Sequence, residues 1–224
     1  HYSLFYQLAA RAGKDAPHIA YYLNNKDEVR QILAKATGKP VNLVKQCLLA
    51  MIYGAEASQY WKAAIPGYLG KHGAAVFNNH PIVTGLMDEL KQNRGAIIAS
   101  QKVTRGKILN AMRRSIDAVA DPKKILAHLL QGLEARMLEV IRVEYADKII
   151  LLQHDGFTST EKMNVNALER LIKRKTEYSM EVSEELLQTP AYLVPENPMI
   201  PNREMGFYSL ETNSYDDFIL FHAS

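Results

Sequence analysis

The sequence predicts an α+β protein that is rich in helix and has a small antiparallel sheet. Three observations carry this prediction. Apolar residues recur at helical spacing through most of residues 1–65, Asp121-Pro122 is a typical helix start, and the apolar run Ile149–Leu152 is typical of a strand. The 224 residues, 47% hydrophobic and 23% charged, have a globular composition and are enough to bury a sizeable core.

Charge and cysteine content exclude several classes of protein. The net charge of +3 is compatible with a polyanionic partner but does not require one. No apolar run approaches the roughly 18 residues of a membrane span, so we expect no membrane partner. The single cysteine, Cys47, excludes an intramolecular disulfide framework and a cysteine-based zinc site. It fits a reducing compartment, and we expect a cytoplasmic protein.

The chain starts with His1 rather than Met, and no basic-then-apolar signal segment precedes the first helix signal. We therefore expect a processed, split or truncated polypeptide.

Four helices are predicted in the N-terminal region. Gly13 and Pro17 separate the first two, and Thr37–Pro40 stops the third, which begins at Lys26. The fourth, Val41–Tyr53, is almost uncharged, so we expect most of its circumference to be buried.

The middle of the chain predicts a loop, a helix and a strand. The loop is expected where proline and glycine concentrate, the helix over Pro81–Leu90 and the short strand over Ala96–Val103. The loop-forming residues are Pro66, Gly67, Gly70 and Gly73.

The C-terminal half predicts the longest helix, a hairpin and a further helix. The long helix spans Pro122–Tyr145, and an amphipathic helix spans Asn164–Thr176. Between them, Ile149–Leu152 and Phe157–Thr160 flank the polar turn Gln153–Gly156. Tyr178–Val182 is predicted as another strand. The proline-rich tail, which ends in the aromatic run 218–221, is expected to be an extended surface segment.

Three groups of residues could carry chemistry, and each also has a purely structural interpretation. His154-Asp155 at the hairpin turn could bind a metal, or Asp155 could cap backbone amides in the turn. Lys45, Leu49 and Tyr53 share one helical stripe ahead of Gly54. Lys45 could face a triphosphate with Tyr53 under a base, or it could extend its charged end to water from a buried stem.

The third group lies on the long helix. Gln131 and His128 could contact a nucleic-acid strand, and Lys123 and Lys124 lie upstream of them. Glycine inside a helix costs about 1 kcal/mol relative to alanine. Gly132 therefore indicates a close approach of another backbone or, more simply, helix packing.

Order and spacing together resemble the palm and fingers of family A DNA polymerases over about residues 1–184. Lys45–Gly54 (KQCLLAMIYG) resembles the fingers helix, motif B, and Leu130–Ala135 (LQGLEA) resembles the helix before the catalytic hairpin. Gln153–Phe157 (QHDGF) resembles motif C, where the aspartate binds the catalytic metals. Gly95–Lys107, with Thr104-Arg105-Gly106, is similar to that family's strand and basic turn.

This resemblance implies a domain order and a set of site residues. Residues 1–40 would begin the palm after motif A, 41–94 would be fingers-like, 95–184 would be palm with the catalytic hairpin, and 185–224 would be a C-terminal tail. Asp155 would bind Mg²⁺ and be catalytic together with Lys45. Nucleotide would contact Lys45, Leu49, Tyr53, Gly54 and Phe5, and nucleic acid would contact His154, Gln131, His128, Arg105 and Lys107.

Several positions depart from the family pattern. Val41 replaces an arginine, Ala127 an asparagine, and Gly156 a glutamate. The last change brings HDGF closer to the phage-type single-subunit RNA polymerases, which share the palm.

Motif A is the largest departure. Counting back from Asp15 places its metal-binding aspartate one residue before His1, while another register puts His1 in that place. In the first register, Phe5 would lie under the sugar and favour deoxynucleotides, or it could be a core aromatic.

The sequence thus predicts a template-directed nucleotidyltransferase acting in DNA replication, with primer-template and nucleoside triphosphates as partners. An upstream polymerase segment or a partner chain would supply the missing carboxylate, and a viral or plasmid replicon in a bacterial or host-cell cytoplasm would suit it. Three alternatives stay open: a phage-type RNA polymerase, a non-catalytic nucleic-acid-binding subunit on a degenerate polymerase scaffold, and a helical domain whose motif matches are coincidental.

Overall fold

A computed structural model of the chain confirms the α+β class. It describes residues 1–58, 60, 62–153 and 156–186, and the backbone of 206–209. The chain divides into two compact units, His1–Leu133 and Glu134–Ser224. The described helices are α1 (Tyr2–Arg11), α2 (Pro17–Asn24), α3 (Lys26–Thr37), α4 (Val41–Ile52), α5 (Ala64–Asn78), α6 (Pro81–Ala99), α7 (Pro122–Glu144) and α8 (Val165–Thr176). The described strands are β1 (Val103–Thr104), β2 (Lys107–Leu109), β3 (Ser115–Asp117), β4 (Ile149–Leu152), β5 (Gly156–Ser159), β6 (Ser183–Leu186) and β7 (Gly206–Ser209).

The helix boundaries that carry strong local signals are confirmed. Gly38 ends α3 in the left-handed conformation, and the side chain of Asp121 accepts a hydrogen bond from Lys123 N–H (2.7 Å) at the start of α7. Asn164 caps α8 in the same way by accepting from Ala167 N–H (3.0 Å). The core of the first unit is built from fully buried side chains of α1 to α6, including Phe5, Ile19, Leu33, Leu48, Phe77 and Leu86.

A carboxylate of α6 fixes the start of α2. Glu89 accepts hydrogen bonds from the backbone N–H groups of His18 and Ile19, both at 2.8 Å, and its residue is only 7% exposed. One turn along α6, the Asn93 amide donates to the carbonyl of Asp15 (3.0 Å). A Cβ atom added at Gly85 would lie 2.6 Å from the His18 ring. Because a helix N-terminus has unpaired N–H groups and a partial positive charge, a buried carboxylate is stabilised there.

Two predictions in the middle of the chain are wrong. The expected loop is α5, in which Pro66 occupies the first turn, where its missing N–H costs nothing. Gly70 (φ 71°, ψ 169°) supplies a kink rather than a loop. The expected strand Ala96–Val103 is mostly helix, because α6 continues its buried face through Ile97 to Ala99.

The first unit also contains a three-stranded antiparallel sheet in the order β1-β2-β3. The predicted domain boundary at residues 94/95 falls inside α6 and is not a break in secondary structure. Ile108, in the middle strand, is buried, whereas Val103 and Leu109 are about half exposed. Most of this sheet therefore faces solvent.

The second unit contains a four-stranded antiparallel sheet in the order β4-β5-β7-β6. The predicted hairpin is confirmed: β4 pairs with β5, and Gln153 N–H donates to the carbonyl of Gly156 (2.9 Å). The strand expected over Tyr178–Val182 instead begins at Ser183. Of the predicted surface tail, residues 206–209 form β7 between β5 and β6, whereas the proline-rich stretch and the aromatic run 218–221 lie outside the described residues.

Position in the sheet explains the burial of the hairpin strands. The inner strand β5 is buried along its length, including Phe157. The apolar strand β4 lies at the edge, and Ile150, Leu151 and Leu152 are each 42–55% exposed. None of the described helices is both long and apolar enough to cross a membrane.

Replacing Glu89 by glutamine should destabilise the first unit. The neutral amide cannot give both N–H groups of α2 a charged acceptor, so we expect a loss of about 2–4 kcal/mol in the free energy of unfolding. Urea titration followed by circular dichroism measures it. Asp88→Asn, at the exposed neighbouring position, is the control and should change stability by less than about 0.5 kcal/mol. If Glu89→Gln loses no more free energy of unfolding than Asp88→Asn, the cap is not needed for the stability of the first unit.

Cys47 should make stability depend on alkaline pH. The residue is buried in α4, and burial raises the pKa of its thiol from 9.0 to about 12. The unfolded chain loses the thiol proton above pH 9 while the native state keeps it. The thiol's contribution to stability is therefore complete below about pH 9 and lost as pH rises towards 12, at about 1.4 kcal/mol per pH unit.

The comparison of wild type with Cys47→Ala isolates this contribution from that of other groups. The advantage of the wild type in urea titrations should shrink between pH 9 and 11. Parallel stability curves for the two proteins would mean that water reaches the thiol in the native state.

Candidate functional site

The predicted nucleotide-binding stripe lies on the less buried side of α4. Lys45, Leu49 and Tyr53 are half-buried and follow one another at intervals of four residues. The opposite face carries the fully buried residues, so less of the circumference is buried than the sequence predicts. These core residues are Val44, Cys47, Leu48, Met51 and Ile52.

The start of α1 is tied to the end of α4. The Tyr53 hydroxyl and His1 Nε2 lie 3.0 Å apart, and their rings meet edge to face with centroids at 5.1 Å. The buried Tyr2 hydroxyl donates to the carbonyl of Leu48 (2.7 Å). Burial, followed by the nearby Tyr22, raises the pKa of the Tyr2 hydroxyl well above its usual value. Tyr53 is therefore positioned by a second side chain while its ring remains half-buried.

Gly54 ends α4 and brings two cations together. Its φ of 91° is left-handed, as the predicted helix end requires. A Cβ atom there would lie 2.5 Å from Lys123 Cδ and 3.1 Å from Arg94 Nη1. Lys123 Nζ pairs with Glu56 (2.9 Å), and this hydrogen bond lowers the pKa of the exposed Glu56 carboxyl.

Two cationic side chains therefore lie beside the Gly54 end of the stripe, and Glu56 compensates part of their charge. The carbonyl groups at a helix C-terminus carry partial negative charge, which favours cations there. We define the α4 cluster as Lys45, Leu49, Tyr53, Arg94 and Lys123. The sequence did not identify Arg94 or join Lys123 to Gly54, because each lies 40 or more residues from Gly54 along the chain and leaves no local pattern.

The predicted site on α7 is a packing junction with the small sheet. His128 Nε2 lies 2.9 Å from the carbonyl of Arg114, and the Asn110 amide donates to the carbonyl of His128 (3.2 Å). The Asn110 side-chain oxygen accepts from the N–H groups of Met112 and Arg114. The group that approaches Gly132 is a side chain rather than another backbone, since a Cβ atom there would lie 2.5 Å from the Asn110 side chain.

The remaining predicted nucleic-acid contacts differ in their surroundings. Gln131 and Arg105 are exposed, whereas the Lys107 ammonium pairs with Asp117 (2.5 Å) across neighbouring strands. Residues 91–124 contain nine Lys and Arg against two Asp, while the rest of the chain has a net charge of −4. Positive charge is thus concentrated in the segment that carries Arg105 and Lys107.

Other predicted site residues lie in the core or outside the described part of the chain. Phe5 is fully buried, which favours its interpretation as a core aromatic. His154 and Asp155 lie outside the described residues, although the strands on either side of them form the expected hairpin. Among described residues, no group of three or more His, Cys, Asp or Glu side chains is close enough to hold a metal ion. A cavity of about 310 Å³ beside Tyr6 and Lys14 contains none of the predicted site residues.

Gly132→Ala and Gly95→Ala should change stability in opposite directions. The added methyl group at Gly132 would displace Asn110, whose amide makes the hydrogen bonds of the junction, at a cost of about 1–3 kcal/mol. Gly95 lies in α6 with nothing within 4 Å of its added Cβ, so alanine should stabilise by about 0.5–1 kcal/mol. Thermal unfolding of both variants tests the junction, and a stabilised Gly132→Ala protein would contradict it.

Comparison with known proteins leaves the family open. No family model matches the sequence, and no match is found among the curated proteins or among the solved structures.

Proposed function

We propose that this chain is the palm-and-fingers part of a template-directed nucleotidyltransferase of the family A DNA polymerase type. The observation that carries the proposal is the α4 cluster. It places a lysine, an apolar side chain and a tyrosine in one accessible line and ends it with two further cations.

This line has the chemistry that a nucleoside triphosphate requires. In the proposal, Lys45 neutralises the triphosphate, and the flat ring of Tyr53 packs against the templated base pair. The hydroxyl of Tyr53 already has a partner in His1, so the ring has one preferred orientation. Such preorganisation lowers the entropy lost when a substrate binds.

Arg94 and Lys123 extend the positive charge beyond Tyr53. We assign them to the phosphates of the nucleotide or of the primer terminus. Asp155 is the proposed ligand of Mg²⁺, the metal that such a transferase uses to support the attacking and leaving oxygens.

A non-catalytic nucleic-acid-binding subunit is the second candidate. The observation that favours it is the charge of residues 91–124, where nine cations face only two carboxylates. Counterion release from nucleic acid would use this charge without any catalysis.

Primer extension separates the candidates. The full chain is incubated with a primer-template duplex, Mg²⁺ and either dNTPs or NTPs, and binding of the duplex is measured in parallel. Incorporation of dNTPs supports the DNA polymerase proposal, and incorporation of NTPs alone would replace it with a phage-type RNA polymerase. Duplex binding without incorporation favours the non-catalytic subunit, and absence of both contradicts both candidates.

Two substitutions should separate the proposed roles within an active protein. Asp155→Asn should abolish incorporation and leave duplex binding nearly intact. Lys45→Ala should lower incorporation about 10- to 100-fold at limiting nucleotide, because a hydrogen-bonded charge pair is worth about 1.5–3 kcal/mol. Lys35→Ala, an exposed lysine on α3, is the matched control and should be unchanged. Full activity of Asp155→Asn would contradict the assignment.

A further inference from the structure

Each of the two turns of the β1–β3 sheet has an arginine at a position whose backbone conformation favours glycine or asparagine. Arg105 (φ 52°) and Gly106 (φ 73°) form the two-residue turn between β1 and β2. Arg113 (φ 58°) lies in the turn between β2 and β3. Positive φ at such turn positions is typical of glycine and asparagine and is uncommon for long side chains.

The turn that carries Arg113 is held firmly by backbone contacts. Asn110 exchanges backbone hydrogen bonds with Arg113 and Arg114, and its side-chain oxygen accepts two more from the loop. The carbonyl of Arg114 also contacts His128 of α7. The backbone is therefore fixed, while the arginine side chains are exposed.

Within the part of the chain that the structure describes, no ion pair explains the choice of arginine at these two turns. Among the described residues, none provides a carboxylate partner for Arg105 or Arg113. The one acidic side chain of the strands, Asp117, pairs with Lys107. Within the described part of the chain, no carboxylate therefore compensates the charges of the turn arginines. Strained residues that lack a structural reason are concentrated at functional sites.

We infer that the β1–β3 sheet binds the phosphate backbone of nucleic acid through Arg105 and Arg113. The inference rests on the proposed function and specifies how the duplex is held. Arginine is suited to phosphate because its guanidinium group can donate two hydrogen bonds to one phosphate group.

The spacing of the turns favours a polymer over a single phosphate. They lie at opposite ends of β2, which has three residues at about 3.3 Å each, so the two arginines are at least about 10 Å apart. Phosphates repeat every few Å along a nucleic-acid strand, so one strand can reach both arginines. Contacts to the backbone position a duplex without reading its sequence.

The double variant Arg105→Asn/Arg113→Asn tests this inference. Asparagine suits both backbone conformations, so the variant should melt at or above the wild-type temperature while binding a primer-template duplex more weakly. The plot of log affinity against log salt should become shallower by about 1.8, because each lost phosphate contact accounts for about 0.9. Fluorescence anisotropy measures the binding, and the variant should lose affinity for two unrelated duplex sequences by the same factor.

The control is Lys35→Gln/Lys71→Gln, which removes the same charge from exposed positions on α3 and α5. It should keep the wild-type salt slope. An arginine variant that binds like this control, or that melts well below the wild type, would overturn the inference. Stronger binding of the wild type to anionic lipid vesicles than to duplex, lost in the arginine variant, would also overturn it by assigning the surface to membranes.

The same measurements distinguish this inference from the proposed function. If the wild type extends primers and the arginine variant binds duplex as tightly as the wild type does, the proposed function stands and only the role of the sheet is removed. A wild-type protein that neither binds duplex nor extends primers would remove both.

Discussion

The first unit depends on a carboxylate of one helix that caps another helix about 70 residues away. Glu89 would be costly to bury alone, and the two N–H groups at the start of α2 would be costly to leave unpaired. Because the carboxylate accepts hydrogen bonds from both N–H groups, neither the buried charge nor the two donors are left unpaired. The absence of a side chain at Gly85 lets His18 approach α6, so the contact fixes the position of α2 as well as its first turn.

The same helix carries Arg94 to the end of α4. Arg94 lies five residues after Glu89, so the cap that positions α6 also helps to position one cation of the α4 cluster. The other cation, Lys123, is held by Glu56 in an ion pair at the surface. Such pairs contribute only about 0–1 kcal/mol. An anionic ligand could therefore recruit Lys123 from Glu56 at little cost, and the cluster could respond to phosphate without a rearrangement of the fold.

Local signals in the sequence predict the ends of elements better than their middles. Gly38 and Asp121-Pro122 determine backbone geometry through their own chemistry, and the structure confirms the helix ends that they predict. The helix α5 was missed because its prolines and glycines resemble a loop in composition, although one proline lies in the first turn and Gly70 makes only a kink. The candidate site was predicted as separate motifs. Contacts such as that of Asn110 with Gly132 depend on tertiary packing. The only sign of this contact in the sequence is a glycine inside a helix, where glycine is unfavourable.

Residues that break local rules indicate which parts of the surface have a role beyond folding. Natural sequences agree with their own backbone almost everywhere, so each exception requires a compensating gain. For Gly54 and Gly132 the gain is visible, because Lys123 and Asn110 occupy the space where a side chain would lie. Arg105 and Arg113 are exposed and have no carboxylate partner among the described residues, and asparagine or glycine would fit the backbone better. The proposed contact with nucleic acid would supply that gain, because exposed guanidinium groups on two fixed turns are complementary to a polymer of phosphates.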